Sequence, residues 1–168
     1  MPGPLAWMVR EDPSYDPNRI GAVSQAKVLS ALTVAGKVVL APCVAVRPYD
    51  FVIEEGGRFL RVQCKTGRLF RGAVCFRPHR LRAAKRETGW QRRVTDYRGE
   101  VDLFAVYCPD NDNVYLVPIE DVPGPAICTL RVRPARNNQI KGVRWAKEYL
   151  VGPPQAEGQG GAPVHLGP

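Results

Sequence analysis

The sequence lacks several features that would place it in other classes of protein. No apolar run in its 168 residues approaches the roughly 18 residues that span a bilayer, and residues 1–18 have no apolar stretch between a basic start and a small-residue cleavage site. The five cysteines are odd in number and never form a C-x-x-C pair, which argues against a disulfide framework or a zinc site. We therefore expect a cytoplasmic protein with reduced core thiols and no membrane association.

Acidic residues are almost absent from one long segment. Residues 58–98 contain eleven Arg and two Lys, but only Glu87 and Asp96 as acids, a net charge of +11. The other residues carry eleven bases and fourteen acids, so the excess behind the protein's net charge of +8 is local. Guanidinium groups suit phosphate oxygens, and this asymmetry predicts a polyanionic partner, most simply nucleic acid. A solvated basic face is the alternative interpretation.

The length and the 45% hydrophobic content suit a single globular domain. We expect an irregular lead-in over residues 1–18, with Asn18 as a helix cap, and a domain over residues 19–151. The last residues, 152–168, are rich in Gly and Pro and have no apolar periodicity, so we expect a disordered tail.

A helix is predicted over residues 19–35, ending before Gly36. Its apolar residues recur at helical spacing: Ala22, Val28, Leu29 and Leu32. Gln25 lies on the same stripe, so we expect it to face the protein.

Alternation and turn residues predict a series of strands after this helix. An extended stretch over residues 38–46 precedes strands at 49–54, 58–65, 73–76, 101–107, 114–117 and 126–132. The basic segment after Pro78 has no periodicity, which leaves it open between partly helical and mobile. The sequence over residues 138–150 predicts a closing helix, and Ile140 and Val143 are among the residues that would make its apolar contacts.

The hairpin turned by Gly56 and Gly57 brings three polar residues to one strip of sheet. A two-residue loop places Asp50 directly opposite Gln63, with their Cβ atoms about 5 Å apart. Lys65 lies two residues beyond Gln63 and therefore on the same face. A carboxylate, an amide and an ammonium in this arrangement suit a single-metal site for phosphate hydrolysis. A surface ion pair between Asp50 and Lys65 is the alternative.

The order of these motifs resembles that of the PD-(D/E)XK nuclease superfamily. The matching features are a helix ending at Gly36, then Pro48-Tyr49-Asp50, a Gly-turned hairpin and Gln63-Cys64-Lys65-Thr66. The chain is most similar to the homing endonucleases associated with group I introns, in which Gln takes the second acidic position and gives a Q-x-K motif. The resemblance continues through Tyr97, the strands at 101–107 and 114–119 and the segment 138–149, and covers about residues 19–150. It implies an α/β fold with a restriction-endonuclease-like core, a mixed central β-sheet flanked by α-helices.

Carried over residue by residue, the resemblance implies a site with four members. Asp50 is the metal-binding acid, Gln63 the altered second metal position, and Lys65 the catalytic lysine. Cys64 contributes its backbone carbonyl to the metal. The family also has a Glu on the first helix at the position matching Gln25, and this chain departs from it there. Gln25 is therefore a further candidate catalytic residue, which either orients a water at the site or is a hydrogen-bonded core amide. The implied cofactor is Mg²⁺, with Mn²⁺ as an alternative, and Asp50 is the only carboxylate among the expected ligands.

The leading hypothesis is a metal-dependent DNA endonuclease that acts as a homodimer or homotetramer at the nucleoid. One alternative is a catalytically weak or inactive DNA-binding protein on the same fold, because Gln stands at both 25 and 63. Another is a Holliday junction resolvase, since those enzymes share the fold and the basic face. The candidate DNA-binding residues are Arg61, Arg68, Arg71, Arg77, Arg80, Arg82, Lys85, Arg86, Arg92 and Arg93.

Overall fold

A computed structural model describes residues 16–44, 47–86, 89–124, 126–134 and 141–152, with the backbone alone for residues 82–86 and 89–92. Within these residues the chain forms one α-helix, α1 (Pro17–Val34), and ten strands. The strands are β1 (Val38–Leu40), β2 (Phe51–Glu55), β3 (Arg58–Thr66), β4 (Arg68–Phe70), β5 (Ala73–Phe76), β6 (Arg80–Arg86), β7 (Gly89–Thr95), β8 (Leu103–Cys108), β9 (Asn113–Pro118) and β10 (Cys128–Arg131). The helix is not long and apolar enough to cross a membrane.

Helix α1 has a defined cap at each end. The Asp16 carboxylate accepts a hydrogen bond of 2.9 Å from the Asn18 backbone N–H, and Pro17 occupies the first helical position. At the other end, Gly36 adopts a φ of 74°, and Lys37 N–H donates to the Leu32 carbonyl. The predicted helix is therefore confirmed, but the predicted cap at Asn18 is wrong because Asp16 supplies the accepting oxygen.

The face of α1 that packs on the sheet differs from the predicted stripe. Ser24, Val28 and Leu32 are buried, whereas Ala22 and Leu29 are exposed. Ser24 can be buried because its hydroxyl is hydrogen-bonded to that of Thr66 on β3, at 2.6 Å. Because of this hydrogen bond, the buried face of the helix includes Ser24 and differs from the purely apolar face that the sequence predicts.

The central sheet is mixed, as predicted. Its strand order is β1-β2-β3-β8-β9, and β3 with β8 is its parallel pair. The turn between β2 and β3 has positive φ at Gly56 and Gly57, and Glu55 pairs with Arg58 in the predicted register. One face of this sheet packs on α1, with Val28, Leu32 and Ile53 in the core.

A second sheet, of order β10-β5-β4, lies against the other face of the first. Phe76 and Phe104 pack between the sheets, with ring centroids 5.8 Å apart. The chain passes from β3 into β4 through Gly67, where a Cβ would lie 2.8 Å from Val74 Cγ1 and 2.9 Å from Val106 Cγ1. Glycine is therefore required by close approach of the two sheets at this point.

The thiols are free, as predicted. Cys64, Cys75, Cys108 and Cys128 are buried, and burial raises their pKa values. Cys43 is exposed, so the expectation of core thiols does not extend to it.

Two segments differ from their sequence-based predictions. The basic segment after Pro78 forms an antiparallel ribbon of β6 and β7, which pair with each other from Arg80↔Thr95 to Arg86↔Gly89. The closing helix is wrong over residues 141–150, because Trp145 is extended and forms a parallel bridge with Arg131. A short 3₁₀ helix, Ala146–Glu148, follows it. The rest of the predicted closing helix, at 138–140, the lead-in over 1–15 and the tail over 153–168 lie outside the described residues.

Candidate active site

The carboxylate of Asp50 is held at the start of β2 by the neighbouring strand β3. Asp50 N–H donates to the Val62 carbonyl at 2.9 Å, which continues the ladder of the hairpin by one residue. Asp50 Oδ2 accepts from the Cys64 backbone N–H at 2.7 Å and from Gln63 Nε2 at 2.5 Å. The predicted approach of Asp50 and Gln63 is therefore confirmed, and the hairpin register is its cause.

Gln25 reaches the same carboxylate from the helix. Its Nε2 donates to Asp50 Oδ1 at 2.9 Å, although the residue as a whole is exposed. Both oxygens of Asp50 thus accept hydrogen bonds from an amide side chain, one on α1 and one on β3. Burial raises the pKa of Asp50, while the Cys64 N–H and the nearby charge of Lys65 act in the opposite direction.

The polar atoms around Gln63 fit the ligand set of the implied divalent metal. Gln63 Nε2 donates to Asp50 Oδ2 and, at 3.1 Å, to the Cys64 carbonyl oxygen, so two oxygens converge on one small region. Half a turn of the amide would exchange its nitrogen for its oxygen and leave an all-oxygen set, the type that Mg²⁺ prefers. Among the described residues no group of three His, Cys, Asp or Glu side chains could hold a metal. The residues therefore fit a divalent cation bound by one carboxylate, a backbone carbonyl and an amide.

Lys65 is held by two acceptors from distant parts of the chain. Its Nζ donates to the His79 carbonyl at 3.1 Å and to the Tyr97 hydroxyl at 3.2 Å, and it lies 4.5 Å from the centroid of the Tyr97 ring. Burial lowers the pKa of Lys65 to about 8, the charge of Arg80 adds to the decrease, and Asp50 opposes it. The amine is thus fixed in direction and easier to deprotonate than an ordinary lysine.

Tyr97 is the contact that the sequence did not assign. Tyr97 is buried, and its ring packs edge-on against Phe104 with 5.6 Å between the ring centroids. The Arg80 guanidinium lies 5.0 Å from the centroid of the Tyr97 ring. Arg80 in turn forms an ion pair of 2.5 Å with Glu100. A single tyrosine after a basic run belongs to no periodic pattern, so the sequence does not predict its contact with Lys65. Only the family resemblance included Tyr97.

A cationic pocket of about 260 Å³ adjoins Lys65. Arg68, Arg77 and His79 line it beside Lys65, and the first turn of α1 forms the opposite wall. No carboxylate lines the pocket. Its charge and size suit a phosphate with part of its sugar, since pockets for drug-sized ligands begin at roughly 300 Å³.

The other candidate DNA-binding residues have different surroundings. Arg61 forms a bidentate ion pair with Asp102, with two N···O distances of 2.9 Å, and it also donates to the Gly99 carbonyl. Its guanidinium is therefore engaged in joining β3 to the start of β8. Arg71 is exposed, with its guanidinium 5.2 Å from the Phe70 ring centroid. The remaining candidates lie on the ribbon: Arg80, Arg82, Lys85, Arg86, Arg92 and Arg93. Their contact with DNA stays a prediction.

Comparisons with known proteins concern the family and the fold of this chain. The sequence profile of the PD-(D/E)XK endonuclease family matches residues 15–151, which include every residue of the site. Among solved structures, the chain is similar to one described as "The structure of a bacterial homing endonuclease: I-Ssp6803I", with 20% sequence identity and a TM-score of 0.60. That match covers 81% of this chain and 89% of the other, and at this identity it concerns the fold. No protein of curated function matches the chain in sequence.

Proposed function

The chain belongs to the PD-(D/E)XK endonuclease family, and from this premise we propose that it is a divalent-metal-dependent endonuclease that hydrolyses phosphodiester bonds in DNA. The observation that carries the proposal is the convergence of Asp50, Gln63 and Lys65 on adjacent strands, with Lys65 Nζ fixed beside a cationic pocket. Carboxylate, amide and amine are the groups that phosphodiester hydrolysis needs, and the hairpin brings them together.

Asp50, the Cys64 carbonyl and Gln63 would hold the cation, Mg²⁺ or Mn²⁺. When bound, it would supply Lewis-acid polarisation of the phosphate and a lower pKa for a coordinated water. Gln25 orients the Asp50 carboxylate through Oδ1, which leaves Oδ2 directed towards Gln63 and Cys64. Neutral amides at positions 25 and 63 remove negative charge from the site, so the affinity for the cation is lower than with carboxylates there.

Lys65 accepts a proton from the attacking water and stabilises negative charge on the phosphate. A neutral amine has two N–H groups and one lone pair, and the His79 carbonyl and the Tyr97 hydroxyl account for two N–H donors. The lone pair is then directed elsewhere and can accept a proton from the attacking water. In its protonated form the same nitrogen stabilises negative charge on the phosphate.

The cationic pocket binds the DNA strand next to this reaction. Arg68 and Arg77 lie on the Lys65 side of the site and can bind phosphate oxygens with two parallel hydrogen bonds. A phosphate held there fixes the neighbouring scissile phosphate relative to Lys65. We further propose a homodimer or homotetramer, because a duplex presents two strands related by a two-fold axis, and a location at the nucleoid follows from the DNA substrate.

A second candidate function is a DNA-binding protein with weak or no cleavage. The observation that favours it is the single carboxylate at the site, with Gln25 and Gln63 donating to Asp50. The two candidates share the fold and the basic surface and differ only in turnover.

Cleavage of a supercoiled plasmid and of a four-way junction, with Mg²⁺, Mn²⁺ or EDTA, tests both candidates. We expect nicking with metal, none with EDTA, and a loss of at least about 100-fold in Lys65→Ala, the usual contribution of a positioned proton-transfer group. Lys37→Ala is the matched control, because Lys37 pairs with Glu55 beside the hairpin turn, away from the site. Cleavage unaffected by Lys65→Ala would contradict the site. Binding of DNA without cleavage would favour the second candidate, and preference for the junction would indicate a resolvase.

A further inference from the structure

The backbone of β6 and β7 forms a two-stranded ribbon that starts at Arg80, beside Tyr97 and Glu100. The two strands pair with each other over seven residue pairs and pack on no other described helix or strand to a comparable extent. Leu81 and Val94, paired near the base, are each about half exposed, and Arg93 is exposed. At about 3.4 Å per residue the ribbon is roughly 20 Å long.

Strand alternation divides the ribbon into two faces of different composition. Paired residues of an antiparallel ladder share a face, and successive residues alternate between faces. One face, here called the arginine face, carries Arg82, Arg86, Gln91 and Arg93. The opposite face carries Leu81, Ala83, Lys85, Trp90, Arg92 and Val94.

The arginine face has a pairing that is unfavourable in the protein alone. Arg82 lies directly opposite Arg93 in the register, and like charges in this position destabilise a strand pair. No acidic residue of β6 or β7 lies on this face to offset them. A negatively charged partner lying along the face would turn this repulsion into attraction, so the register itself indicates a polyanion.

We propose that the arginine face of the ribbon enters the major groove of duplex DNA and reads base edges there, an inference that rests on the proposed endonuclease function. The major groove is about 12 Å wide and admits a two-stranded β-ribbon. Arginine pairs with guanine and glutamine with adenine in this groove, and the face offers both residue types.

The base of the ribbon places this groove next to the site of cleavage. Arg80, the first residue of β6, contacts the Tyr97 ring and Glu100, and Tyr97 accepts a hydrogen bond from Lys65. Tyr97 is therefore the single residue that links the start of the ribbon to Lys65. With a length of roughly 20 Å, and 3.4 Å between base pairs, it spans about six base pairs beside the scissile bond.

The test compares two double variants that remove equal charge from opposite faces. Arg82→Ala with Arg93→Ala changes the arginine face, and Lys85→Ala with Arg92→Ala changes the other face, with one substitution on each strand in both cases. Binding to a fluorescein-labelled 40-base-pair duplex of mixed sequence is measured by anisotropy in EDTA, at several salt concentrations. We expect the first variant to lose at least about tenfold in affinity, and the second to lose about twofold or less.

Guanine methylation identifies the groove. Methylation at N7 blocks the major groove, so it should weaken binding of the native protein and of the Lys85/Arg92 variant, but not further weaken the Arg82/Arg93 variant. Equal losses in the two double variants, or interference from adenine N3 methylation in the minor groove instead, would overturn the proposal. Equal thermal unfolding midpoints of the two variants would verify that the ribbon effect is not a folding defect.

The binding assay contains no metal, so its outcome is separate from that of the cleavage assay. A face-dependent loss of binding in a protein that does not cleave would support the ribbon and contradict the nuclease. Cleavage with no face dependence would contradict the ribbon alone. Absence of duplex binding in the native protein would overturn the ribbon proposal, and the cleavage assay with metal would still decide the nuclease.

Discussion

The five-stranded sheet and the β6–β7 ribbon are held in place by different forces. The sheet is covered by α1 on one face and by the second sheet on the other, and Val62 and Val106 on its parallel strands are fully buried. The backbone of the ribbon pairs within its own ladder, Arg80 contacts Tyr97 and Glu100 at its start, and Leu81 and Val94 beside it are half exposed. Lys65, the proposed catalytic lysine, is on the sheet that is covered on both faces, and this position suits a group whose geometry must stay fixed.

The largest effect that separates the two regions is expected from the core between the sheets. Phe104→Ala removes a fully buried ring that contacts Phe76 and Tyr97, and we expect a loss of about 3–5 kcal/mol in the free energy of unfolding. Phe59→Ala, on the neighbouring strand but 65% exposed, is the control and should change it by less than about 0.5 kcal/mol. Urea denaturation measures both. Similar losses in the two variants would mean that burial does not distinguish these positions.

A smaller, pH-dependent effect is expected at the Arg61–Asp102 ion pair that joins β3 to β8. The hydrogen bonds from Arg61 hold the pKa of Asp102 below its ordinary value of 3.8. A carboxylate with a lowered folded-state pKa stabilises the fold above its unfolded-state pKa, and this stabilisation disappears as the pH falls through the folded-state value. Asp102→Asn should therefore cost about 1 kcal/mol at pH 6, the upper end for a partly exposed pair, and less at pH 3.

Urea midpoints of Asp102→Asn and the native protein at the two pH values measure this difference. A cost that is equal at pH 6 and pH 3 would show that the Asp102 charge does not contribute, and that the backbone hydrogen bond from Arg61 N–H, at 2.8 Å, carries the effect.

The smallest effect is expected within the ribbon. Leu81→Ala shortens a side chain that is 50% exposed and packed on no core, so the free energy of unfolding should change by less than about 0.5 kcal/mol. Leu130→Ala on β10 is the matched variant, because Leu130 is fully buried and should cost about 2–5 kcal/mol. Thermal and urea unfolding compare the two leucines. A large loss from Leu81→Ala would mean that the ribbon is part of the cooperative core.

The parts of the site that lie on one hairpin could be predicted from the sequence. The Gly56-Gly57 turn fixes the register, and strand alternation then brings Asp50 to Gln63 and places Lys65 on the same face. The acceptors of Lys65 could not be predicted in this way. The His79 carbonyl and the Tyr97 hydroxyl come from segments 14 and 32 residues away, which no local pattern connects to β3.

The wrong secondary-structure predictions concern segments in which the apolar residues do not follow the spacing of the structure that forms. Strands β6 and β7 pair only with each other among the described strands, and their sequence has no apolar alternation that would indicate a strand. The segment around Trp145 fails for a related reason. Its apolar residues fit a helical spacing, but Trp145 is extended against Arg131, and Ala146 and Tyr149 reach the core from a 3₁₀ turn instead.

Gly67 links the two halves of the site in a way that bears on how such a protein can change over generations. Lys65 belongs to the central sheet and Arg68 to the second sheet, yet one glycine with no room for a Cβ separates Thr66 from Arg68. A side chain at this position would force the two sheets apart, because a Cβ there would meet Val74 and Val106. We therefore expect the lysine proposed for catalysis and the arginine proposed to bind phosphate to be inherited as a single unit, whereas the ribbon lies outside this constraint.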